Sequence, residues 1–214
     1  MIYLIGGTPR SGKTTVAKKL AASLGISWIS ADTLEGLAKH FTSSKEYSKK
    51  FPINILRKKT QNSNDLMYSK YTAEQIKKAY IEQARSSWEV IETLIDYLIG
   101  EDQDYIIEGY QISPKFVAEL QKRFGDKIRC VFLTRHSIEI IIKDAKKSTA
   151  HNDWFITKTK DESTYPKIAL MISKYGDYIK KEVEKYNFTS FNVDVDFTKT
   201  LDLVINKLSI IKNK

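Results

Sequence analysis

Gly7-Thr8-Pro9-Arg10-Ser11-Gly12-Lys13-Thr14 satisfies the pattern G-x-x-x-x-G-K-[ST], and each fixed position has a chemical reason. The glycines let the backbone curl until its N–H groups converge on phosphate oxygens. The N-terminus of a following helix adds its dipole to the same spot. Lys13 supplies a point charge to the β- and γ-phosphates, the Thr14 hydroxyl is a ligand for Mg²⁺, and Thr15 is placed to reach the α-phosphate. An eight-residue pattern can arise by chance, but here an apolar strand, Tyr3-Leu4-Ile5, precedes it and a helix pattern follows. Together these point to a P-loop that binds ATP with Mg²⁺ on Gly7, Thr8, Pro9, Arg10, Ser11, Gly12, Lys13, Thr14 and Thr15.

Several P-loop classes are excluded by what is missing. No Asp stands three residues before a Gly, so the D-x-x-G switch of a GTPase is absent, and so is the guanine signature N-K-x-D. Thr157-Lys158-Thr159-Lys160 approaches a T-K variant of that signature but lacks the Asp and follows no strand. A motor or AAA-type ATPase is hard to fit into 214 residues. His151-Asn152-Asp153-Trp154 is an unusual cluster, but nothing supplies a third metal ligand.

The elements that must position these residues alternate. Lys13 to Leu24 reads as a helix with Val16, Ala17, Leu20 and Leu24 on one face and Gly25 as its stop. Ile26 to Ser30 is a second strand, and a short helix begins at Asp32. Thr42 to Tyr71 is polar, with only Phe51, Ile53, Ile55 and Leu56 to form a small core, and reads as an inserted lobe or mobile excursion. Thr72-Ala-Glu-Gln75 is a capping box for one long helix that Gly100 ends. Tyr105 to Glu108 is a third strand, and Ser113-Pro114 opens a helix ending near Gly125. Ile128 to Thr134 is a continuous apolar strand, and Ser137 caps the helix after it. Ser148 to Thr164 reads as a polar loop in which Trp154 and Phe155 pack against the body. A long helix covers Tyr165 to Tyr186, Phe188 to Val193 is the last strand, and Thr198 caps a final helix to about Ile211. Short apolar strands alternating with amphipathic helices predict an α/β fold, a parallel sheet with helices on both faces. The site then lies at the carboxyl ends of the strands.

Composition is that of a globular chain, 42% hydrophobic and 29% charged, long enough for one domain with a core of its own. No apolar run approaches the roughly 20 residues of a membrane span, and Met1 to Gly6 lacks the basic region of a signal peptide. The single cysteine, Cys130, lies in an apolar run and reads as a buried, inert thiol, which favours a reducing cytoplasm. The net charge of +9 admits nucleic-acid binding. The lysines are dispersed, however, with no run of five like charges, and a solvated surface that attracts a phosphorylated small molecule is favoured.

Ile5-Gly6-Gly7-Thr8-Pro9-Arg10-Ser11-Gly12-Lys13-Thr14-Thr15, Asp32 just after the second strand, and Ile106-Ile107-Glu108-Gly109 resemble the nucleoside-monophosphate-kinase-like P-loop kinases. That family includes adenylate, shikimate and gluconate kinases; the Gly-Gly opening and the Glu-Gly after strand three look closest to 2-phosphoglycerate kinase-like members. The resemblance implies a three-layer P-loop fold with a five-stranded parallel sheet in the order 2-3-1-4-5. It also implies a substrate lobe at about 42–71 and a lid at about 148–164. Asp32 sits where shikimate-kinase-like members hold a carboxylate against the acceptor hydroxyl; the bland reading is a helix cap. Glu108 ends an apolar strand like a Walker B carboxylate and would hold Mg²⁺ through water or orient the acceptor, although relatives more often carry Asp. Arg135 follows strand four, where relatives place a basic residue over the adenine or on the transferring phosphate; the alternative is a surface arginine. Lys143, Lys146, Lys147 and Lys158 would act similarly from the lid; Arg57 and Lys58 could grip an anionic acceptor, although a solvated face is the favoured reading for them.

The expected activity is ATP-dependent transfer of the γ-phosphate to a hydroxyl of a small-molecule acceptor. Lys13, Asp32, Glu108 and Arg135 are its catalytic candidates, and Thr14 and Glu108 its metal candidates. Two alternatives stand beside it. One is a nucleoside monophosphate kinase, which the absence of arginine from the lid disfavours; the other is a polynucleotide 5′-kinase or RNA-associated ATP-binding protein, which the positive charge motivates.

Overall fold

Ile2–Gly7 is buried along its whole length, as a central strand covered on both faces must be. Alternate side chains feed two cores. Ile2 and Leu4 pack with Ile107 and Phe132 on one face, and Tyr3 and Ile5 pack with Ile106, Val131 and Leu133 on the other. In the computed structural model, which describes residues 1–151 and 153–209, five strands form one all-parallel sheet: Ile2–Gly7 (β1), Ser27–Ser30 (β2), Tyr105–Glu108 (β3), Ile128–Thr134 (β4) and Ser190–Asn192 (β5). Their order is β2-β3-β1-β4-β5, the order expected. Parallel register aligns Ile5 with Glu108 and Gly7 with Leu133, so β3 and β4 end beside the P-loop.

Lys13–Leu24 (α1) follows β1, and Ala31–Phe41 (α2) follows β2. The segment expected as a polar excursion is three short helices, Ser44–Lys50 (α3), Pro52–Lys59 (α4) and Asn64–Lys70 (α5). Their apolar residues are too few for a core of their own and are spent on a shared one. Ile53, Met67 and Tyr68 pack with Ile76, Ile141, Phe155 and Ile168.

The long helix expected from Thr72 is two, Ala73–Ser86 (α6) and Trp88–Gly100 (α7). Its capping box forms as the sequence predicts. The break falls at Ser87, which is fully buried. Its hydroxyl bonds back to the Gln83 carbonyl at 3.0 Å, the kind of local competition that bends a helix.

Pro114–Phe124 (α8) and Ile138–Lys146 (α9) flank β4, and the expected lid loop contains a helical turn, Trp154–Thr157 (α10), capped by Asp153. Tyr165–Lys185 (α11) and Phe197–Ser209 (α12) complete the chain. Asp196, not Thr198, caps α12, its carboxylate accepting from Lys199 N at 3.0 Å. The expected end of that helix near Ile211 lies outside the described residues. Among the described residues no helix is long and apolar enough to cross a membrane.

Cys130 is half-buried in β4 rather than fully enclosed. Burial still pushes its thiol up to about 12, with Lys207 pulling the other way. At pH 8 the thiolate is then about one part in ten thousand of the thiol. Alkylation by iodoacetamide at that pH is expected to be slow in the folded protein and fast after denaturation. Equal rates in the two states would contradict the burial.

Candidate active site

The P-loop is fixed by its glycines and by β4. Gly7 has φ 130°, and a Cβ there would lie 2.0 Å from the Leu133 carbonyl oxygen. Thr8 N donates to that same oxygen at 2.9 Å. Gly12, at φ 86°, stands at the N-cap of α1 without any side-chain cap, so the first N–H groups of the helix are left to the loop's concavity. Arg10 is not a glycine yet has φ 60°, a conformation that costs energy unless its surroundings impose it. Those surroundings are on the lid. The Arg10 guanidinium pairs with Asp153 and lies 5.2 Å from the centre of the Phe155 ring.

Lys13 is buried, and its Nζ donates to the Thr8 carbonyl at 2.5 Å. Burial lowers its pKa, while the charges of Glu108 and Asp32 pull it back up. Thr14 Oγ1 donates to Glu108 Oε1 at 3.0 Å. Glu108 ends β3 almost wholly buried. Ser30 is the N-cap of α2, its hydroxyl accepting from Asp32 N at 3.3 Å. Asp32 therefore lies in the first turn with its carboxylate exposed to a cavity of about 430 Å³. Lys13, Thr14, Asp32 and Glu108 all line this cavity, and the structure thus brings these four together.

Arg135 is placed differently. Its side chain is 2% exposed and is absent from the cavity lining. Nε donates to Asp194 at 2.9 Å, Nη2 pairs with Asp144, and Nη1 reaches the Arg10 carbonyl at 3.4 Å. It is neither a surface arginine nor a cavity one; it braces the P-loop from behind. Of the lid lysines Lys158 lines the cavity, whereas Lys146 pairs with Glu162 at the surface. Lys143, Lys147 and Lys58 are not in the lining, and Arg57 is.

The 42–71 and 148–164 segments pack against each other beside the cavity. Asn64 Nδ2 donates to the Trp154 carbonyl and to Thr159 Oγ1, each at 2.9 Å, and Arg57 lies 5.5 Å from the centre of the Trp154 ring. Phe155 is fully buried against Tyr165 and Ile168. Burying a phenylalanine contributes about 1.5–3 kcal/mol, against about 0–1 kcal/mol for an exposed ion pair. Phe155 therefore anchors the lid more firmly than the surface pair between Lys146 and Glu162 does. Asp153 is held below the usual carboxylate range: burial raises it, but hydrogen bonds from Arg10 and Ser148 and the Arg10 charge outweigh that.

Several lining residues carry signals the sequence reading did not use. Glu35 and Lys39 follow Asp32 at three- and four-residue steps, which puts all three on one helix face. Gln83 is a polar residue on the apolar stripe of α6. Tyr110 and Gln111 follow Glu108-Gly109 with no pattern that marks them.

No protein-family model and no curated protein sequence matches the chain. Solved structures do. A gluconokinase from Sinorhizobium meliloti 1021 superposes with a TM-score of 0.55 at 12% identity, covering 97% of this chain and 90% of its own. A shikimate kinase from Bacteroides thetaiotaomicron aligns with a TM-score of 0.48 at 16% identity, over 97% and 96% of the two chains. Sheet order, P-loop position and the superposition with the gluconokinase agree: the chain has the P-loop kinase fold.

Proposed function

We propose that this chain is an ATP-dependent kinase that moves the γ-phosphate of ATP to a hydroxyl of a small anionic acceptor. The observation that carries the reading is that Lys13, Thr14, Asp32 and Glu108 converge on one cavity roofed by α4 and the lid. ATP would lie along the loop with its phosphates on the uncapped backbone N–H groups at the start of α1, since Pro9 has none to give and Thr8 N is held by Leu133. Thr14 and Glu108, a hydroxyl and a buried carboxylate already in contact, form an oxygen donor pair suited to Mg²⁺, which when bound neutralises phosphate charge. Asp32 orients the acceptor hydroxyl and takes its proton as the new O–P bond forms and the bond from the γ-phosphorus to the bridging oxygen breaks, releasing ADP. Lys13 stabilises the charge on the transferring group, and Arg135 contributes from behind by holding the Arg10 carbonyl.

The acceptor side of the cavity favours an anion. Arg57 and Lys158 both line it, and among the described residues neither meets a carboxylate. Burial and then the Arg57 charge lower the Lys158 pKa, a mutual repulsion that an anionic substituent would relieve. A carboxylate- or phosphate-bearing alcohol fits these cations. The single thiol, half-buried in β4, and the use of ATP suit a reducing cytoplasm. The test is a screen with γ-labelled ATP of hydroxylated acids and their neutral analogues. Acidic alcohols are expected to take label and neutral ones not.

A further inference from the structure

Glu108-Gly109-Tyr110-Gln111 leaves β3 at the rim of the cavity, and Gln111 is fully buried there. Its Nε2 donates to Asp32 Oδ1 at 2.8 Å and to Glu35 Oε2 at 3.1 Å. Only the NH₂ end of an amide can face two carboxylates, so the orientation is dictated by chemistry. Space for the carboxamide comes from Gly109, where a Cβ would lie 2.4 Å from Gln111 Oε1 and 2.6 Å from Ala31 Cβ. Among the described residues that Oε1 is buried without a partner, so the side chain forgoes an acceptor bond while serving the two carboxylates.

Glu35 is the next link. Besides Gln111 it accepts from Tyr110 Oη at 2.5 Å, Ser87 Oγ at 3.2 Å and Gln83 Nε2 at 2.7 Å, and it pairs with Lys39 at 2.5 Å. Gln83 Oε1 in turn accepts from Ile53 N at 3.1 Å and Asn54 N at 3.4 Å, two backbone groups in the first turn of α4. Helix α4 carries Arg57 on the acceptor side of the cavity. A continuous hydrogen-bonded chain thus runs from the Asp32 carboxylate to the start of the acceptor helix.

We propose that Gln111 is a positioning residue that fixes the Asp32 carboxylate toward the acceptor, and that the chain through Glu35 and Gln83 sets this orientation relative to α4. The inference rests on the role proposed for Asp32. A carboxylate gripped at one oxygen presents the other in a defined direction, and a rotation of that group misaligns the proton acceptor with the attacking hydroxyl. Tying the same amide through Glu35 to Gln83, whose Oε1 holds the first turn of α4, keeps base and acceptor helix in register.

Gln111→Met keeps length and volume and removes the amide. It is expected to lower kcat about tenfold with an acceptor found by the screen, leaving KM for ATP unchanged. In an Asp32→Asn background the same substitution should cost little more. An equal loss in both backgrounds would overturn the proposal. Full activity of Asp32→Asn would remove the base role itself, and the Gln111 side-chain NH₂ resonance in that variant would then decide whether Gln111 holds Asp32. Should Gln111→Met not fold, the Gln111 side-chain NH₂ resonance in Asp32→Asn carries the test: a shift from its wild-type position supports the contact, and no shift refutes it.

Discussion

Lys13→Met lowers the rate of γ-phosphoryl transfer by about 10²- to 10³-fold, the expected cost of removing one preorganised charge from a water-poor site. The residue is 8% exposed and sits at the first position of α1, directly after the αL glycine that turns the loop. From there the ammonium reaches the inside of the loop, where it bonds to the Thr8 carbonyl. Burial works against its charge and Glu108 and Asp32 work for it, so the two carboxylates hold a cation where phosphate charge would collect. Methionine fills a similar volume without the charge. The melting temperature should therefore change little while single-turnover transfer collapses. Retention of more than a tenth of the wild-type rate would remove Lys13 from the mechanism.

Asp32→Asn lowers acceptor phosphorylation by about 10²- to 10⁴-fold, the span that general acid–base groups contribute. KM for ATP should hardly move, because Asp32 is on α2 and the phosphate cradle is on the β1–α1 loop. The fold should also tolerate the change. Ser30 caps α2, and the Asp32 side chain is exposed to the cavity. Asparagine keeps an oxygen able to accept from Gln111 but cannot take a proton at neutral pH. Steady-state kinetics with saturating ATP checks this. A variant as active as the wild type would leave Asp32 a first-turn helix residue and nothing more.

The P-loop turn, the parallel sheet and the position of Asp32 were legible because each depends on neighbours in sequence, whereas the strand order came only with the resemblance to P-loop kinases. An apolar run, a glycine turn and an amphipathic helix lie within the first 24 residues, and the alternation of elements then implies the sheet. Arg135 was not legible. Its position after β4 is local, but its guanidinium is claimed by Asp194, brought in from beyond β5, and by Asp144 on α9. Spacing carries no record of such pairings. The helix break at Ser87 was hidden for a related reason. The Ser87 hydroxyl reaches Glu35 on α2 as well as its own turn, and the helix periodicity continues through it. The 42–71 segment was legible as polar but not as helices, since α4 and α5 are only eight and seven residues long and draw stability from a core shared with α6, α9 and Phe155. Glu35 and Gln83 were visible only as polar residues on apolar faces, which marks them as unusual without saying what they join.

The most direct test is the fate of label from γ-labelled ATP when the protein is offered three acceptor sets side by side: hydroxylated carboxylic or phosphorylated acids, nucleoside monophosphates, and 5′-hydroxyl oligonucleotides. The expected result is a stable phosphate ester on a hydroxylated acid, lost in Lys13→Met and Asp32→Asn. Transfer to a nucleoside monophosphate or to an oligonucleotide end, with no acid taking label, would contradict it.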